Sequence, residues 1–241
     1  MSKITTILNC YKRPEYLQEQ IEAIRKQTIP PDDIWIWYNK PEDQEQYDLS
    51  NLGCKVITCN HNFKFHGRFS VGLLAKTKYV AFFDDDTIPG PKWFENCMNT
   101  IKSGCNGILG SAGILLLGEA YNPHQKIGWN GDGNESVKEV DLVGHAWFLE
   151  KKYLSYLWNF EPISWENGED IQLSAFSKIQ HNIKTYVPPH PINDISLWGS
   201  IPLKGMQYGN DSNASYKLSS HSSLRDEIVI KLKKVGWKTI N

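Results

Sequence analysis

Tyr79-Val80-Ala81-Phe82-Phe83-Asp84-Asp85-Asp86 runs an apolar strand straight into three carboxylates, and Thr87-Ile88-Pro89-Gly90-Pro91 then turns the chain away. Like charges this close repel and raise one another's pKa, so the arrangement is costly unless a positive group meets it. A divalent cation is the natural answer. Oxygen ligands at a strand end suit hard ions such as Mn²⁺ or Mg²⁺, and those ions suit a diphosphate. A solvated acidic turn is the plainer alternative, and the rest of the chain decides between them.

Upstream, Ile4 to Leu8, Ile34 to Trp37 and Lys55 to Thr58 read as strands. Pro14 opens a helix that carries Leu17, Ile21 and Ile24 on one face, and helical material lies between Phe69 and Lys76. Strands alternating with helices predict an α/β fold with a mostly parallel central sheet flanked by helices. Ligands bind such sheets at the carboxyl ends of the strands. Asn9 to Arg13, Asn39, Asn62 to Arg68 and the aspartates all fall there.

Beyond Pro91 the pattern predicts a helix over 92–101, strand character at 107–109, 114–117 and 140–143, and helices over 151–158, 169–179 and 222–235. Residues 119–135 and 188–220, rich in Gly, Asn, Pro and Ser, read as loops, the second long enough for a lid. The 241 residues are expected to form one domain, with 1–90 binding the nucleotide and 91–241 supplying the acceptor side and a C-terminal lid and helix.

A net charge of −1 with interspersed signs carries no footprint for nucleic acid. No apolar run approaches the roughly 18 residues of a membrane span. Five cysteines without a Cys-x-x-Cys pair predict buried reduced thiols, and with them a cytoplasmic setting. The sequons at Asn134 and Asn213 read as coincidence.

Several spaced motifs resemble the nucleotide-sugar glycosyltransferases of the GT-A fold, most closely the exostosin-type hexosaminyltransferases and more loosely the large family 2. They are Asn9-Cys10-Tyr11-Lys12-Arg13, Trp35-Ile36-Trp37-Tyr38-Asn39, Asn62 with Arg68-Phe69, Phe82 to Thr87, Gly144-His145-Ala146-Trp147-Phe148, Asn167-Gly168-Glu169-Asp170 and His221-x-x-x-Arg225. The chain departs from the exostosin pattern at Gly168, where that group has a cysteine.

The resemblance implies a UDP-sugar donor, a glycan or other hydroxyl acceptor and a metal cofactor, Mn²⁺ or Mg²⁺. Asp86 is the first metal ligand; Asp84 serves ribose, the metal or its water, and Asp85 the sugar hydroxyls or the metal. Arg13, Asn39, Asn62, Arg68 and His221 contact the nucleotide, with Arg68 and Arg225 gripping phosphate oxygens. Asn167 bonds the donor sugar, and Asp170 is either the base of an inverting transfer or the electrostatic support of a retaining one, with retention favoured by the exostosin-type resemblance. His190, His145 and His221 are each candidates for a metal, and Trp165 and Trp198 for stacking on sugar.

A haloacid-dehalogenase phosphatase would place its Asp-x-Asp on the first strand, and here it follows the fourth. A nucleotidyltransferase expects a glycine-rich loop where Asn9 to Pro14 has no glycine. A non-catalytic sugar-binding module would have lost some of the metal or diphosphate residues.

Overall fold

The computed structural model describes residues 4–41, 46–212 and 214–241. Strands β1 (Ile4–Cys10), β2 (Asp33–Asn39), β3 (Lys55–Cys59) and β4 (Tyr79–Phe83) pair in parallel in the order β3-β2-β1-β4. Their carboxyl ends therefore share one edge. The sheet continues through β8 (Leu142–Glu150), antiparallel to β4, then β5 (Ile108–Leu116), β9 (Thr185–Val187) and β7 (Lys138–Val140), with β6 (His124–Ile127) on β5. The central sheet flanked by helices is as the sequence predicts.

Alternation along β4 shows why both faces are covered. Val80 and Phe82 enter one core with Phe69, Trp147 and Ile171, while Tyr79, Ala81 and Phe83 enter the other with Ile21, Trp93 and Phe94. Helices α1 (Leu17–Arg25) and α3 (Trp93–Lys102) lie on the second side. Helices α2 (Gly67–Gly72), α4 (Leu154–Leu157), α5 (Glu169–His181) and α7 (His221–Lys234) lie on the first. Burying each such Phe or Ile contributes roughly 1.5–3 kcal/mol, so the sheet is held from both sides.

Three sequence expectations change. The 119–135 loop contains β6, because its Gln125 and Lys126 pair with Leu115 and Ile114 across the edge of β5. The strand expected over 140–143 is two, β7 and β8, parted at Asp141, whose carboxylate accepts the amides of Leu116 and Ile240 at 2.8 Å each. The irregular 188–220 stretch holds α6 (Lys204–Gly209). All five cysteines are free thiols. Among the described residues no helix is long and apolar enough to cross a membrane. Asn134 itself is buried, its side chain bonded to the carbonyls of Ser136 and Pro188; Asn213 lies outside the described residues.

Candidate active site

The β4 carboxylates are drawn into a network by residues far away in sequence. Arg13, at the end of β1, donates to Asp85 at 2.8 Å and sits 3.6 Å from Asp86. It also pairs with Asp211 at 2.7 Å. Arg68 is pinned between Asp84 and Glu169, with 2.8 Å to the latter, and lies over the Trp147 ring at 4.6 Å. Its guanidinium is thus occupied by carboxylates, where the resemblance had implied phosphate. Burial first, and then the neighbouring Asp86, push the Asp85 carboxyl up to about 7. Burial and Asp84 likewise push Asp86 up to about 6. Two guanidiniums leave the cluster under-compensated.

Asp84, Asp86 and His145 bring their ligand atoms within 4.8 Å of one another. His145 gets there through a bulge. Between the Gly110↔Trp147 and Ala112↔Gly144 pairs, β5 advances two residues and β8 three. The extra residue turns His145 to φ +65°, left-handed backbone that costs a non-glycine residue on the order of 1 kcal/mol. Its carbonyl accepts the Asp84 amide at 3.0 Å. Its Nδ1 lies 4.0 Å from Asp84 Oδ2 and has no hydrogen-bond partner. An unpartnered imidazole nitrogen beside two carboxylates fits a divalent cation.

A second cluster forms where α5 meets α7. Gly168 at φ +85° starts α5, and a Cβ there would lie 2.4 Å from Ile228 Cδ1, so only glycine fits at the position where the exostosin pattern has cysteine. Arg225 of α7 grips both oxygens of Asp170, at 3.0 and 2.8 Å, and donates to Asn167 Oδ1 at 3.0 Å. Asn167 Nδ2 in turn lies 3.0 Å from His221 Nδ1. The four residues of the two C-terminal motifs are therefore one constellation. Burial alone would raise the Asp170 carboxyl, but Arg225 overcomes it and holds it below the ordinary range. Its neighbour Glu169, raised by burial and by Asp170, reaches about 7. Gly144, next to His145, puts this carboxylate beside the metal candidates: a Cβ there would be 4.0 Å from Asp170 Oδ2.

Arg225 is 7% exposed, so its guanidinium is part of the fold as well as of the site. Arg225→Ala strands the buried Asp170 charge and is expected to cost about 3–5 kcal/mol. Urea unfolding would measure it; a loss below about 1 kcal/mol would mean the pair is effectively solvated.

Asn39 and Asn62 bond one another at 2.8 Å, and Asn62 reaches the Tyr11 hydroxyl at 3.1 Å. Asn62, braced by Asn39 from behind, shapes one side of a cleft of about 660 Å³, lined also by Tyr11, Phe63, His66, Trp158 and Trp165. Across the acidic cluster, α6 is fastened to the end of β1 and to α1. Tyr208 stacks on Tyr16 at 4.0 Å and donates to Glu19 at 2.6 Å, Lys204 pairs with Glu19, and a Cβ on Gly209 would meet Asp86 Oδ2 at 2.2 Å.

Other candidates fall elsewhere. His190 is buried, pushed down to about 3 by that burial, stacked on Trp93 and bonded to the Gly199 amide. Trp198 is buried with its Nε1 on the Pro191 carbonyl. Both are packing residues. Trp165 stays exposed on the cleft. Sequence reasoning gave His145 only a general chance as a ligand and gave Glu169 no partner. A lone histidine inside the apolar run of β8 was the available signal.

A mixed sheet whose parallel strands β3, β2, β1 and β4 end on one edge, with gathered carboxylates after β4, is the architecture of a GT-A glycosyltransferase. The chain belongs to glycosyl transferase family 2, whose sequence profile matches residues 5–157. The crystal structure of S. aureus TarS is similar in fold, with a TM-score of 0.53 at 15% identity over 78% of this chain. The match takes in 37% of TarS, so this chain spans well under half the length of that protein. No curated protein sequence matches the chain. Family 2 was the looser of the two resemblances, and it is the one the profile supports.

Proposed function

We propose that the protein transfers a sugar from a UDP-sugar to a hydroxyl of a glycan or similar acceptor, with a divalent cation, Mn²⁺ before Mg²⁺, held by Asp84, Asp86 and His145. The observation that carries this is the meeting of two clusters: Asp84, Asp86 and His145 at the end of β4, with the Asp170–Arg225 pair against Gly144. Residues 1–90 supply the nucleotide side, with Tyr11 and Asn62 at the cleft and Asn39 bonded to Asn62; residues 91–241 supply the acceptor side. When bound, the cation offsets charge on the departing diphosphate. Arg13 adds a guanidinium at the same edge.

Asp170 is assigned as the base. Arg225 orients both carboxylate oxygens and keeps Asp170 ionised, though a weaker base for it. Asp170 takes the acceptor's proton as the acceptor oxygen bonds to the anomeric carbon and the bond from that carbon to the diphosphate oxygen breaks, releasing UDP. Asn167 accepts from Arg225 in turn and is itself bonded to His221. We favour inversion, because the expectation of retention rested on the exostosin-type resemblance and the chain belongs to family 2. A donor screen across nucleotide sugars, with and without Mn²⁺, tests the reading, and the anomeric coupling of the product tests the stereochemistry. Expected are turnover of a UDP-sugar that needs the metal and a product of opposite configuration. A product matching the donor would sink the base role of Asp170, and no turnover of any nucleotide sugar would sink the whole reading.

A further inference from the structure

A histidine that ligates a metal usually has its ring fixed by a hydrogen bond from the other nitrogen to a carboxylate or carbonyl. His145 sits on left-handed backbone with its Nδ1 towards Asp84, so that nitrogen is taken up by the candidate metal site and the ring must be held in some other way. What lies against the ring is Trp129. The indole stacks on the imidazole with centroids 3.9 Å apart and planes 17° from parallel.

The structure brings Trp129 to this place deliberately. It follows Gly128, whose φ is +71° and where a Cβ would lie 2.7 Å from His190 Nδ1. The loop that carries it is closed by two backbone bonds between Asn134 and His190, at 2.7 and 3.0 Å. The indole also meets α6, where a Cβ on Gly205 would be 3.3 Å from the ring. It thus touches both the His145 imidazole and the helix that covers Asp86. His190, which the sequence offered as a ligand, takes part only by anchoring this loop.

We propose that Trp129 is a positioning residue, whose stack holds the His145 imidazole in the plane that lets it join Asp84 and Asp86 around a divalent cation. The inference rests on the metal reading above. The stack does for this ring what an outer hydrogen bond does elsewhere. Because it limits rotation of the imidazole, its loss is felt in cation affinity before it is felt in the fold.

The test is Mn²⁺ titrated into the intact chain at fixed UDP, with the free ion followed by its electron paramagnetic resonance signal. Trp129→Leu keeps apolar bulk and removes the aromatic face; it is expected to weaken Mn²⁺ about tenfold, as loss of an outer support does. Trp129→Gln takes its place should Leu unfold the loop. Trp129→Phe keeps a face and should bind within about twofold of wild type. His145→Ala should weaken Mn²⁺ as well, and adding Trp129→Leu to it should change nothing further. That last arm separates positioning from packing, since a packing role would weaken both backgrounds alike. Wild-type affinity in Trp129→Leu, or an undiminished effect in the His145→Ala background, overturns the proposal. Wild-type protein that binds no Mn²⁺ overturns the metal reading and this inference together, an outcome distinct from one in which only Trp129 proves silent.

Discussion

Asp170→Asn is expected to lower transfer to acceptor by about 10³-fold while UDP binds nearly as before, within the range ordinarily lost with a general base. The substitution keeps the shape of the side chain and one acceptor for Arg225. It removes the charge that takes the proton. Arg225 does not then stand unopposed, because Glu169 beside it already carries a raised carboxyl near 7 and can ionise in response. Loss of stability should therefore be smaller than for Arg225→Ala. Because Arg225 depresses the Asp170 carboxyl, the base stays ionised across neutral pH, and no fall in turnover above the ordinary carboxylate range of about 4 traces to it. The same depression stabilises the fold above that range and is lost only as pH drops through the lowered value. Steady-state rates with calorimetric UDP affinity check the prediction; wild-type turnover in a folded variant contradicts it.

Asp86→Asn should cost transfer about 10²-fold or more, since it removes a cation ligand and with it charge stabilisation on the leaving diphosphate. Stability should move the other way or not at all. Asp86 is crowded by Asp84 and buried, and in the absence of a cation its charge opposes the packing around it. Trading stability for function at such a site is ordinary. The paired measurement is turnover at saturating Mn²⁺ and melting temperature in chelator. Near-wild-type turnover removes Asp86 from the metal site.

The half of the fold that carries β1 to β4 was legible because its strands are short apolar runs and helices follow β1, β3 and β4. The acidic strand end and the placement of Asn39 and Asn62 followed from local spacing, whereas Arg225 was expected at phosphate and its pairing with Asn167 and Asp170 joins segments 55 to 58 residues apart. What stayed hidden depends on antiparallel pairing between distant segments. β6 lies in a run that reads as loop because its Gln125 and Lys126 face outward on an edge. His145 becomes a ligand candidate only through a bulge against β5, and Trp129 reaches it only because that loop folds back on His190. Arg68 was expected at phosphate and Arg13 at the nucleotide, and their partners Glu169 and Asp211 lie about 100 and 200 residues away in sequence.

Calorimetric titration of UDP into the intact chain, once with Mn²⁺ and once with chelator, tests the central claim most directly. The account predicts binding that is strong with Mn²⁺ and at least about tenfold weaker without it, because Asp84, Asp86 and the diphosphate repel unless a cation lies between them. Equal affinity in the two titrations would contradict it.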